Sequence, residues 1–110
     1  MQRRKENNMA TREIQNLFPA IREYFKNQPV EKAWLFGSCS RGENTESSDL
    51  DILVEYTPGK TISLFKISKI MCGLSRTVGM KVDLVEEGQL LPFAQESANR
   101  DKILIYERRN

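Results

Sequence analysis

Apolar residues recur along this chain in two rhythms, one of helices and one of strands. Ile14, Leu17, Phe18, Ile21, Tyr24 and Phe25 keep the three-to-four spacing of an amphipathic helix that packs on a core, with Thr11 as its cap. Pro19 interrupts the run, either kinking one helix or sitting in the first turn of a second, and the helix must end before Pro29. Val30–Phe36 predicts a first strand. Its Ala33, Trp34, Leu35 and Phe36 are apolar without alternation, which places Trp34 in the core of a strand covered on both faces. Asp49–Tyr56 alternates: Leu50, Ile52, Val54 and Tyr56 face one way, and Asp49, Asp51, Leu53 and Glu55 the other. After the turn residues Thr57-Pro58-Gly59-Lys60, a longer helix from Thr61 sets Leu64, Ile67, Met71 and Leu74 on one side and stops at Gly79. Lys81–Val85 predicts a third strand with Val82 and Leu84 inward and Asp83 outward. Leu90–Asn99 predicts a short helix entered through Pro92, and Ile103–Tyr106 a last short strand. The order α-β-(short α)-β-α-β-α-β places the chain in the α/β (α+β) class, but strand order within the sheet cannot be read from it.

Composition narrows the picture. At 110 residues the chain is expected to be one domain, residues 10–110, behind a polar lead-in at 1–9. Seventeen basic against fifteen acidic residues leave a net charge of +2, too small to argue for a nucleic-acid surface, so no direct nucleic-acid binding is expected. The basic residues are spread out except for Arg3-Arg4-Lys5 and Arg108-Arg109, which read as solvated termini. No apolar run approaches the ~20 residues of a membrane span, and the start carries no apolar stretch of a secretory signal. Cys39 and Cys72 lack metal-ligand spacing, and a reduced, cytoplasmic setting is expected. The chain contains no histidine. Serine–histidine and cysteine–histidine pairs and imidazole metal sites are therefore excluded. Chemistry would have to run on carboxylates, hydroxyls, lysine, arginine and metal.

The chemistry-bearing stretch is Leu35-Phe36-Gly37-Ser38-Cys39-Ser40-Arg41-Gly42, followed by Ser48-Asp49-Leu50-Asp51-Ile52. Gly37 allows a tight turn and close approach to the backbone, and a short helix beginning at Ser38 or Cys39 would turn free N–H groups toward a phosphate. Asp49 and Asp51 share one strand face about 6–7 Å apart. Two carboxylates that close repel unless a cation lies between them, and a hard divalent ion, above all Mg²⁺, suits oxygen ligands. The alternative is a pair of solvated strand-end carboxylates. Arg41 either grips a phosphate bidentately or pairs with a carboxylate and braces the loop. Ser48 supports the strand start. Cys39 reads as a small packing residue and not a nucleophile. Lys81 is either a surface charge or a contact to a leaving phosphate.

Gly37-Ser38, Arg41-Gly42 and Ser48-Asp49-Leu50-Asp51 together resemble the signature of the minimal nucleotidyltransferases (MNT domains), the smallest members of the DNA polymerase beta-like superfamily. The resemblance runs from about Ile14 to Tyr106. It implies a nucleotidyltransferase fold: a small mixed sheet with helices packed mainly on one face and carboxylates on a shared rim. It implies a third carboxylate on a later strand, which Asp83 supplies. It implies that Asp49, Asp51 and Asp83 hold two Mg²⁺ ions and are the catalytic residues, and that Gly37 and Ser38, with Arg41, bind the nucleotide's phosphates. The activity implied is transfer of NMP, AMP from ATP, to a hydroxyl. Related transferases carry a further domain for the acceptor, and none is expected after Tyr106. The acceptor is therefore expected on a partner: a tyrosine of a HEPN-domain toxin, with this chain as the antitoxin of the pair. Two other readings stay open, a non-catalytic antitoxin that blocks a HEPN RNase by contact and a homodimeric transferase of small molecules.

Overall fold

The computed structural model describes residues 10–109, so the lead-in expected at 1–9, with Arg3-Arg4-Lys5, lies outside the described residues. Four strands form one sheet in the order β3-β2-β1-β4: β1 (Val30–Phe36), β2 (Leu50–Tyr56), β3 (Val82–Glu86) and β4 (Ile103–Glu107). β1 runs antiparallel to β2 and β4, and β2 runs parallel to β3. The sheet is therefore mixed. A parallel pair needs a long crossover, and α4 (Leu64–Val78) supplies it. The same two-residue alternation that buries Ile52 and Val54 turns Asp51 and Leu53 to the opposite face.

The helices on the core side follow the sequence closely. Thr11 caps α1 (Arg12–Gln15), its hydroxyl accepting from the Ile14 amide at 3.2 Å. Pro19 then sits in the first turn of a separate helix, α2 (Phe18–Phe25), where its missing N–H costs nothing. Ile14, Ile21 and Phe25 meet Ile70 and Leu74 of α4 over Ala33, Leu35, Ile52, Val54 and Val82 of the sheet. Each fully buried Ile, Leu or Phe contributes roughly 1.5–3 kcal/mol. α2 and α4 approach closely because Gly73 has no side chain: a Cβ there would collide with the Tyr24 hydroxyl, which donates to the Ile70 carbonyl at 3.2 Å. Gly79 closes α4 in the left-handed conformation, φ 74°.

Three expectations are corrected. Leu64 is 83% exposed, because Ser63 caps the helix and its first turn is left uncovered; the buried stripe runs through Ile70, Gly73 and Leu74. Trp34 is not in the main core. It pairs across strands with Leu53 and is half-buried on the opposite face, where the Lys102 ammonium lies 4.7 Å from its ring centre. Arg108 is no solvated terminus. Its guanidinium donates to the carbonyls of Phe25, Lys26, Gln28 and Val30, tying the end of α2 to the start of β1.

On the second face of the sheet Leu53 is buried apart from the main core, and Lys102, just after α5 (Pro92–Asp101), lies over the neighbouring Trp34. Ala98 of α5 is buried as well. Gln95 and Lys102 both donate to the Glu87 carboxylate, at 3.3 and 2.8 Å.

Candidate functional site

Strand register assembles the site. Phe36 of β1 stands opposite Asp51 of β2, and Asp51 stands beside Asp83 of β3. Neighbouring strands lie about 4.8 Å apart, so the two carboxylates, distant in sequence, come from adjacent positions on one face. Asp49 lies one residue before β2 begins. Its carboxylate is 3.9 Å from the Lys81 ammonium, and the Leu50 amide donates to the Lys81 carbonyl at 2.8 Å, extending the ladder past the strand ends.

Gly37 follows β1 directly and caps α3 (Ser38–Arg41) with φ 76° and ψ −158°, a region closed to other residues. Its missing side chain matters as much as its backbone. A Cβ on Gly37 would stand 2.5 Å from Asp51 Oδ2, so the turn and the carboxylate share space that only glycine leaves. The turn is fastened beneath: the buried Ser40 hydroxyl donates to the Gly37 carbonyl at 2.8 Å, and the Cys39 thiol to the Asp49 carbonyl at 3.5 Å. Ser38 Oγ lies 3.5 Å from Ser48 Oγ, which in turn accepts from the Thr45 amide at 2.8 Å and holds the loop before β2.

The electrostatics are those of crowded negative charge. Burial, then the charges of Asp83 and Asp49, push the Asp51 carboxyl up to about 6, with Arg41 opposing. Burial and the charge of Asp51 raise the Cys39 thiol, which stays protonated and acts as a packing residue. Arg41 takes the bracing arrangement: its guanidinium donates to Glu43 at 2.9 Å and to Asp101 at 3.3 Å, tying α3 to the end of α5. Sequence reasoning missed Asp101 altogether. It lies sixty residues from Arg41, and nothing local marks it as a partner.

Every donor at the rim is a carboxylate oxygen, the ligand type of hard divalent cations. As arranged, no three His, Cys, Asp or Glu side chains among the described residues stand close enough to hold an ion. Asp83 is exposed, however, so packing does not fix its side chain. Asp51 is raised first by burial and then by the charges of Asp83 and Asp49, and a positive charge beside these carboxylates would offset both effects. The donor set fits a divalent cation.

Residues 20–110 match the family described as Polymerase beta, Nucleotidyltransferase. The protein adenylyltransferase MntA of Thermococcus cleftensis is 30% identical over 94 residues, which cover 84% of this chain and 93% of that one. A solved structure provisionally named a minimal nucleotidyltransferase superposes with a TM-score of 0.70 at 30% identity, over 86% of this chain and 95% of that one. A complex of a tri-AMPylated Shewanella oneidensis HEPN toxin with an MNT antitoxin shares the fold, with a TM-score of 0.63 at 17% identity over 86% of this chain and 72% of that one. With its mixed sheet, glycine turn and rim of aspartates, the chain belongs to the polymerase beta nucleotidyltransferase family.

Proposed function

We propose that this chain transfers AMP from ATP to a tyrosine hydroxyl of a HEPN-domain toxin and thereby acts as its antitoxin. The observation that carries the reading is the placement of Asp83 beside Asp51, against the turn at Gly37. The names of the similar Thermococcus adenylyltransferase and of the Shewanella complex supply the nucleotide and the partner class.

Asp49, Asp51 and Asp83 would hold Mg²⁺, which when bound neutralises triphosphate charge and eases ionisation of the acceptor hydroxyl. The chain's own residues do the positioning. The turn at Gly37 lets the triphosphate approach the backbone, and the Ser38 hydroxyl, half-buried and only loosely paired with Ser48, is available to a phosphate oxygen. Arg41, held by Glu43 and Asp101, contributes its charge from the flank and keeps α3 in place. The acceptor oxygen attacks the α-phosphorus in line. A new O–P bond forms as the α–β bridging bond breaks, and pyrophosphate leaves with that bond's electron pair. The hydroxyl proton is lost to solvent. A tyrosine suits this chemistry because its phenol, with pKa ≈ 10, ionises more readily than an aliphatic hydroxyl.

The test is intact-mass spectrometry of a HEPN partner incubated with this protein and Mg²⁺-ATP, read beside the partner's RNase activity. One or more AMP increments should appear on the partner, and inhibition should persist after this protein is removed. An unmodified partner that recovers activity on separation, and is inhibited equally by D49A/D51A, would establish inhibition by contact instead.

A further inference from the structure

The sequence scatters its lysines and arginines, yet the fold gathers many of them on one face. Three clefts join end to end around the C-terminus of α2. The first, about 530 Å³, lies between α2 and α4 and is lined by Tyr24, Lys66, Lys69 and Arg76. The second, about 600 Å³, shares Gln28 and Lys66 with the first and adds Lys26, Lys60 and Arg108. The third, about 520 Å³, continues through Lys26 and Arg108 to Arg22. Among the described residues no carboxylate lines the first two clefts, and Glu107 reaches the third. None of the three includes Asp49, Asp51 or Asp83, so this face is separate from the rim.

α4 sets the spacing. It contains no aspartate or glutamate. Lys66, Lys69, Gly73 and Arg76 fall within one narrow stripe of the helix at 100° per residue, over a rise of about 15 Å. Among the described residues, no carboxylate lies within ion-pair distance of Lys60, Lys66, Lys69 or Arg76. Phe65, 73% exposed, flanks the stripe with the Lys69 ammonium 5.7 Å from its ring centre. A line of unpaired cations in a groove, interleaved with an exposed aromatic ring, is the pattern that grips a single strand: cations follow the phosphates and the ring stacks a base. Lys60, Lys69 and Arg76 are exposed and Lys66 half-buried, so anionic vesicles and acidic peptides meet the same cations and serve as competitors in the test. The aromatic ring beside the cations favours a strand that offers both phosphates and base faces.

We infer that this face binds single-stranded nucleic acid, with the backbone along Lys60, Lys66, Lys69 and Arg76 and a base on Phe65. The contact is independent of nucleotide transfer. It departs from the expectation set by net charge, because association responds to local charge and not to the sum over the chain.

The probe is a fluorescein-labelled 20-nucleotide oligo(U) RNA, followed by anisotropy in EDTA so that no metal bridges it to the rim. Four neutralised phosphates predict a slope of log K against log salt of about −2.8, a loss of about fifty-fold between 50 and 200 mM salt. K66E/K69E should reduce affinity at least tenfold and bring the slope to about −1.4. The charge-matched control R12E/R100E, at two exposed positions outside the clefts, should bind within twofold to threefold of wild type. Phe65→Ala should lose about tenfold without changing the slope, and circular dichroism checks that every variant is folded. No binding at 50 mM salt would overturn the inference. So would an equal loss in both charge-reversal pairs, or capture by phosphatidylserine vesicles or poly-glutamate in preference to the RNA.

Discussion

Gly37→Ala tests the closest contact in the site. The backbone there occupies φ 76°, ψ −158°, and an alanine held in such a region costs about 1–3 kcal/mol. The new Cβ also meets Asp51 Oδ2 at 2.5 Å, so the carboxylate must rotate away at a further cost of about 1 kcal/mol. The sum, roughly 2–4 kcal/mol, corresponds to a fall in melting temperature on the order of 10–20 °C for a domain of this size. A double-mutant cycle separates the two parts. In an Asp51→Ala background the displaced oxygen is gone, so Gly37→Ala should cost about 1 kcal/mol less than in wild type. Urea denaturation of the four proteins in EDTA measures it, followed by circular dichroism. An identical cost in both backgrounds would show that glycine serves the backbone alone. A cost below about 0.5 kcal/mol in wild type would refute the turn geometry itself. The same substitution should also blunt the stabilisation by Mg²⁺-ATP, about 2.7 kcal/mol at a hundredfold excess over Kd in wild type.

Asp51 gives a pH signature. Its folded carboxyl is raised to about 6, above the unfolded value near 4, so its contribution is fully present below pH 4 and is lost as pH rises through 6. In EDTA, wild type should therefore gain about 1 kcal/mol on Asp51→Asn between pH 7 and pH 5, after allowance for the half-exposed carboxyl; no relative change would show that Asp51 is not crowded. Asp83→Ala should abolish AMP transfer yet unfold within about 0.5 kcal/mol of wild type, since Asp83 is exposed; transfer at the wild-type rate would remove it from the site. Arg108→Ala should destabilise by about 2 kcal/mol in a urea melt, because four backbone carbonyls lose a charged donor. Arg108→Lys should recover less than half of that, as a single ammonium cannot span the fork; full recovery would show that charge alone matters.

Much of this molecule is local and legible in the sequence alone. The alternation over Asp49–Tyr56 records which face each residue takes, so the separation of Asp51 from the buried Ile52 and Val54 follows from the pleat. Thr11, Ser63 and Gly79 act within a turn or so of their own position, and Thr11 and Gly79 are legible for that reason. The glycine turn announces itself because it touches the strand before it. What alternation cannot encode is which strand lies beside which. Only the order β3-β2-β1-β4 brings Asp83 next to Asp51 and makes a site of them. The unalternating run around Trp34 hides a half-open face, because apolar residues suit both a covered strand and one roofed by a lysine. Arg108 looks like a charged end until the chain returns beside α2 and meets its carbonyls. Arg41 with Asp101, and the cations gathered around α2 and α4, arise in the same way. Local pattern sets the conformation and face of each residue, whereas the contacts that make chemistry join positions tens of residues apart, and only the closed tertiary fold chooses among them.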